Sequence, residues 1–138
     1  DADAATVKAL YDYGDALGVA FQIVDDLLDY QGQSEATGKN IGDDFRERKL
    51  TLPVIKAVAK ATADERAFWE RTIEKGKQDD GDLDHALALL NKHGTLTETR
   101  ADALHWANRA KASLAALPDH DIKDMLVDLA DFVVDRIS

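Results

Sequence analysis

The sequence predicts an all-α protein. Three observations carry that expectation. Apolar residues recur at helical spacing over long stretches, above all between positions 4 and 31. No stretch alternates polar and apolar residues as a half-buried strand does. Helix start and stop signals, among them Pro53, Gly76, Gly94 and Pro118, punctuate the remainder. A composition with 32% charged and 7% aromatic residues suits helices rich in Ala, Leu, Asp and Lys. About six helices are expected, in one domain over residues 1–138.

The first helix is expected over 4–31, with Val7, Leu10, Tyr11, Leu17, Phe21, Val24 and Leu28 among its apolar positions. Gly14 and Gly18 interrupt it. They lie on the stripe that continues through Gln22, Asp25 and Asp29. An interior glycine costs about 1 kcal/mol, so it needs a reason, either close helix packing or clearance for a ligand. Pro53, two residues after Thr51, marks the first turn of a second helix that runs to about Lys60. Asp64 is the expected cap of a third, from Glu65 to about Lys75, stopped near Gly76. Phe68 and Trp69 on it suit a core or a lid rather than ligand contacts.

The run 78–84 (Gln-Asp-Asp-Gly-Asp-Leu-Asp) has the look of a calcium loop, but the closing acidic residue is missing, since Leu90 or Asn91 falls there. It is expected to be a solvated turn, with Asp82 capping a fourth helix that ends before Gly94. Thr95-Leu96-Thr97-Glu98 has the capping-box pattern and starts a fifth helix to about Leu117. Asp121 opens the last, amphipathic through Met125, Leu126, Leu129, Phe132, Val133 and Ile137.

The chemistry concentrates in Phe21-Gln22-Ile23-Val24-Asp25-Asp26-Leu27-Leu28-Asp29. At about 3.6 residues per turn, Asp25 and Asp29 stack on one face, and Asp26 lies beside it. Gln22 points to the same region. No Lys or Arg lies within four residues of these aspartates. The apolar neighbours argue for partial burial, and a buried carboxylate cluster needs a counter-charge. An all-oxygen set suits Mg²⁺ better than zinc. The opposing reading is an acidic face turned to solvent, with the leucines inward.

The following stretch, 32–51, holds Gly32, Gly38 and Gly42 and reads as a loop. Between Gly38 and Lys49 it carries Lys39, Arg46, Arg48 and Lys49 against Asp43, Asp44 and Glu47. A carboxylate helix feeding a Gly-Lys loop suits a phosphate or diphosphate. A metal bridges phosphate oxygens to aspartate, lysine supplies a point charge, and glycines admit backbone N–H groups. An ordinary exposed connection is the alternative.

FQIVDDLLDY followed by GKNIGDDFRERKLTLPVIKA resembles the second aspartate-rich motif of the trans-isoprenyl diphosphate synthases, most of all their polyprenyl branch. Order and spacing match over roughly thirty residues, and the flanking helices resemble that family too. Arg48 departs from the pattern, standing where the family usually has the glycine of a second Gly-Lys pair. The family's first aspartate-rich motif is absent from these residues, so the chain looks like the C-terminal half of such an enzyme.

The resemblance implies a helical bundle of the isoprenoid-synthase type around a central cavity. It also implies a prenyltransferase that condenses isopentenyl diphosphate with an allylic diphosphate, working as a homodimer together with its N-terminal half. In that reading Asp25 and Asp29 ligate Mg²⁺, and Asp26 contributes through water or through a contact to the ligating groups. Lys39 and Lys49 bind diphosphate oxygens, Gln22 and Phe21 line the allylic pocket, and Asp44 orients the loop.

Composition bounds the alternatives. A net charge of −10 argues against nucleic acid. No cysteine is present, so disulfides and thiolate metal sites are excluded. His85, His93 and His105 lack zinc spacing. No apolar run approaches transmembrane length and no signal peptide is recognisable, so a cytoplasmic protein is the expectation. The chain opens in helical sequence without Met, as a fragment or a processed chain would. Two rival functions stay open: a non-catalytic diphosphate-binding subunit of a heteromeric synthase, and a plain helical interaction module.

Overall fold

A computed structural model of the chain describes residues 3–31 and 41–137. These residues form helices and no strand. They are α1 (Ala4–Gln31), α2 (Asp43–Arg46), α3 (Leu52–Ala59), α4 (Ala63–Trp69), α5 (Asp82–Lys92), α6 (Thr95–Ser113) and α7 (Asp121–Asp135). A π-helical turn over Glu70–Glu74 prolongs α4, and a 3₁₀ turn over Leu114–Ala116 prolongs α6. No helix among the described residues is long and apolar enough to cross a membrane.

The six expected helices are all present, and α2 adds one turn inside the glycine-rich connection. Its reason is local. Gly42 enters at φ 87, a left-handed conformation that glycine adopts freely, and Asp43 and Asp44 sit in the first turn, where the helix dipole favours anions.

Cap positions differ from the sequence reading in three places, because side chains found better partners. At α4 the cap is Thr62 rather than Asp64. Its hydroxyl accepts from Glu65 N–H at 3.3 Å, while Glu65 Oε1 accepts from Thr62 N–H at 3.0 Å. Asp82 does not cap α5, because it is buried and held by Arg71 through two bonds of 2.9 and 3.0 Å. Gly81, at φ 88, takes the cap position instead. Thr95 turns its hydroxyl to the Leu90 carbonyl and Glu98 pairs with Lys60, so the expected capping-box partners are engaged elsewhere.

The chain divides into two compact units. One comprises 1–24 with 100–138, the other Asp25–Thr99. In the first, Tyr13, Ala16, Ala110, Leu114 and Ala130 form the core. Tyr13 donates its hydroxyl to the Leu126 carbonyl at 2.7 Å, and Lys111 pairs with Asp131 at 2.7 Å. Burial raises the pKa of the Tyr13 hydroxyl.

The second unit carries the larger core, built from Tyr30, Phe45, Val54, Ala57, Phe68, Trp69, Ala86, Leu89 and Leu90. Phe45 stacks on Phe68 and meets Trp69 edge-on, each with ring centroids 6.4 Å apart. Phe68 and Trp69 are therefore core residues. Glu65 is buried against Lys92 and His93 at 2.6 and 2.8 Å. Within the π turn, the buried Thr72 donates its hydroxyl to the Phe68 carbonyl at 2.9 Å, and Lys75 N–H reaches back to Glu70 O at 2.9 Å. Such a wide turn leaves carbonyls at its end for outside donors.

Candidate functional site

α1 buries one side, and its three clustered aspartates run from that side's edge into it. Ala20, Ile23, Val24, Leu27 and Tyr30 are buried, and Phe21 and Gln22 are exposed. Asp25 and Asp26 are half-buried, while Asp29 is only 3% exposed. Gly14 and Gly18 are exposed, and a Cβ added at either meets nothing within 4 Å. Close helix packing therefore does not explain those glycines among the described residues.

Asp29 makes contacts that the sequence did not reveal. Its Oδ2 accepts from the Asp44 N–H at 3.1 Å, and its backbone carbonyl accepts from Gly42 N–H at 2.8 Å. The last turn of α1 thus grips the chain where it returns after the connection. Two bonds over a separation of 13 to 15 residues fix the start of α2 against the carboxylate helix. Asp44 is itself buried, and its Oδ1 lies 3.7 Å from Lys49 Nζ.

Lys49 is exposed and also pairs with Glu47 Oε2 at 3.3 Å. Glu47 first, through its hydrogen bond and its charge, and then Asp44 raise the Lys49 pKa. The cation stays charged and accessible. Tyr30, buried beneath this corner, has its hydroxyl pKa pushed up by burial first and then by the Asp29, Asp44 and Asp26 carboxylates.

The sequence-predicted residues are thus partly assembled. Asp29, Asp44 and Lys49 belong to one hydrogen-bonded and ion-paired run. Asp25 and Asp26 stand one turn earlier on the same helix, and Phe21 and Gln22 one turn before those. Lys39 and the Gly38-Lys39 pair lie outside the described residues.

The donor set fits a hard divalent cation, being all carboxylate oxygen. Among the described residues no three metal-ligating side chains converge into a ready-made nest. Asp25, Asp26 and Asp29 are the residues that would hold such a cation.

Sequence reasoning also missed Gln78. Its amide donates to the Phe45 carbonyl at 2.7 Å and to the Thr72 carbonyl at 3.0 Å, joining α2 to the π turn. No local pattern signals a bond across that separation.

Comparison with known proteins places these features. Residues 1–90 match the family model described as polyprenyl synthetase. The octaprenyl diphosphate synthase of Haemophilus influenzae is 40% identical over 132 residues, covering 96% of this chain and 40% of that protein. A polyprenyl synthase structure from Roseobacter denitrificans is 69% identical with a TM-score of 0.91, covering 98% of this chain and 43% of that one. A decaprenyl diphosphate synthase from Rhodobacter capsulatus is 65% identical with a TM-score of 0.92, covering 99% and 42%. A polyprenyl synthase from Caulobacter crescentus, solved with calcium and isoprenyl diphosphate, is 46% identical with a TM-score of 0.89, covering 99% and 42%. The chain spans about 40% of the length of the curated relatives it matches.

Proposed function

The chain belongs to the polyprenyl synthetase family, and on that premise we propose that it supplies the second magnesium–diphosphate site of a prenyltransferase. The reaction condenses isopentenyl diphosphate with an allylic diphosphate to give a polyprenyl diphosphate. The observation that carries the proposal is the grip of Asp29 on Gly42 and Asp44. It makes the carboxylate helix and the cation-bearing loop one built unit rather than two neighbours in sequence.

The chemical demand is charge. As the allylic C–O bond ionises, the departing diphosphate gathers negative charge that must be held. Mg²⁺, when bound, would supply part of that neutralisation. Asp25 and Asp29 would hold the ion, and Asp26 would contribute from beside them. Lys39 and Lys49 bind diphosphate oxygens with charge-assisted bonds. Asp44 orients the loop, since its N–H is held by Asp29 and its carboxylate faces Lys49. Gln22 and Phe21, exposed on α1, line the allylic pocket.

The reading carries with it a homodimeric cytoplasmic enzyme that includes an N-terminal half bearing the opposing carboxylates. The exposed Val7, Leu10, Tyr11 and Phe21 on α1 support such a cover, because apolar side chains of this size cluster where another surface packs.

Thermal melts test the site. At a hundredfold excess over Kd, Mg²⁺ with inorganic pyrophosphate adds about 2.7 kcal/mol, which is roughly 10 °C for a chain of this size. An unchanged melting temperature in a full-length protein that includes the N-terminal half contradicts the assignment.

A further inference from the structure

Arg48 is the one non-glycine residue with positive φ among the described residues, at φ 63. Its backbone closes α2. Arg48 N–H donates to Phe45 O at 3.0 Å and Lys49 N–H to Asp44 O at 2.8 Å. That pair of bonds is the Schellman helix ending, whose left-handed residue is normally glycine because a Cβ crowds the following carbonyl there. An arginine at this point needs compensation.

The compensation is visible in the side chain. Arg48 Nε donates to the Ile73 carbonyl at 3.0 Å, and Nη2 donates to the Glu74 carbonyl. These are the last carbonyls of the π turn that ends α4, where the helix dipole favours a cation. Gly76 makes room for it. A Cβ at Gly76 would stand 2.8 Å from Arg48 Nε. Gly76 itself sits at φ 70, so two independent features of that residue serve this seat.

We propose that Arg48 is a positioning residue for diphosphate binding, its guanidinium latching the backbone of Lys49 to the end of the π turn. The inference rests on the proposed function, in which Lys49 contacts the diphosphate. The loop is then held from both ends. Asp29 grips its start through Gly42 and Asp44, and Arg48 fixes its end through Ile73 and Glu74. The cation between those anchors has its backbone set before ligand arrives, which removes an ordering cost from binding. The fork geometry matters here, because lysine offers a point charge where arginine offers two directed donors.

Two measurements test this on the Rhodobacter capsulatus decaprenyl diphosphate synthase carrying this chain in place of its matching segment, called below the unsubstituted chain. Hydrogen exchange at the Lys49 amide reports the latch without any ligand. Calorimetric titration with inorganic pyrophosphate and Mg²⁺ reports its consequence. Arg48→Gly relaxes the backbone but removes the side chain, and Arg48→Lys keeps the charge but loses the fork. Both are expected to speed exchange at Lys49 and weaken pyrophosphate binding about tenfold, the loss of most of one charge-assisted bond. In a Lys49→Ala background, Arg48→Gly is expected to change the Kd no further.

Unaltered exchange at Lys49 in both variants overturns the latch. So does pyrophosphate affinity in Arg48→Lys equal to that of the unsubstituted chain, which would mean that charge alone acts. Losses that multiply in the Lys49→Ala background overturn it too, because Arg48 would then act independently of Lys49. Failure of the unsubstituted chain to bind pyrophosphate strikes instead at the proposed function, and removes the latch's role in binding with it.

Discussion

Phe45→Ala is the perturbation that reaches furthest into this structure. Phe45 is 1% exposed, stacked on Phe68 and edge-on to Trp69. It sits in α2, four residues long, whose turn has little stability of its own. Truncation removes the transfer energy of a buried ring and leaves a cavity, together about 3–5 kcal/mol. For a chain of this length each kcal/mol moves the melting temperature by roughly 3–5 °C, so the expected drop is about 10–20 °C. The same substitution uproots the loop, because the Phe45 carbonyl receives both Arg48 N–H and the Gln78 amide. Urea denaturation followed by circular dichroism gives the first effect, and hydrogen exchange at the Asp44 and Lys49 amides gives the second. Phe45→Leu, which keeps part of the volume, should fall between the parent and Phe45→Ala on both scales. A Phe45→Ala chain within about 0.5 kcal/mol of the parent, the range of a surface substitution, would refute the packing argument.

Two further expectations concern single side chains. Lys39→Ala should weaken diphosphate binding by one to two decades, the worth of a charge-assisted bond of about 1.5–3 kcal/mol, and an unaltered pyrophosphate titration would make that lysine a bystander. Glu65 has its pKa lowered from 4.5 to about 2, first by the Lys92 hydrogen bond and then by the Thr62 N–H and His93. A depressed carboxylate stabilises the fold above its unfolded pKa and stops doing so as pH falls through the folded one. The urea midpoint should therefore decline from about pH 5 toward 2 in the parent and less steeply in Glu65→Gln, and parallel curves would contradict the linkage.

Much of this architecture was legible in the sequence because it is local. The period of Val24, Leu27 and Leu28 places Asp25, Asp26 and Asp29 on a helix, and Pro53 after Thr51 opens α3 as expected. The same locality explains what was hidden. Asp29 reads as one more carboxylate on a stripe, and only the folded chain brings Asp44 N–H to it across fifteen residues. Thr62 outcompetes Asp64 as a cap because Glu65 falls three residues later and closes the box, a signal that was present and passed over. Asp82 read as a cap because its partner Arg71 is eleven residues away. The short helix α2 escaped because a left-handed ending occupied by arginine carries none of the usual glycine signature.

The central claim is that these residues form one side of a two-sided diphosphate site, and a steady-state prenyl-transfer assay tests it most directly. Two proteins are compared with isopentenyl and allylic diphosphates and Mg²⁺. One is the mass-verified 138-residue chain; the other is the Rhodobacter capsulatus decaprenyl diphosphate synthase with this chain exchanged for its matching segment. The account predicts no turnover by the chain alone, turnover by the exchanged enzyme, and loss of that turnover on Asp25→Ala. Turnover by the verified chain alone, or a folded exchanged enzyme indifferent to Asp25→Ala, would contradict it.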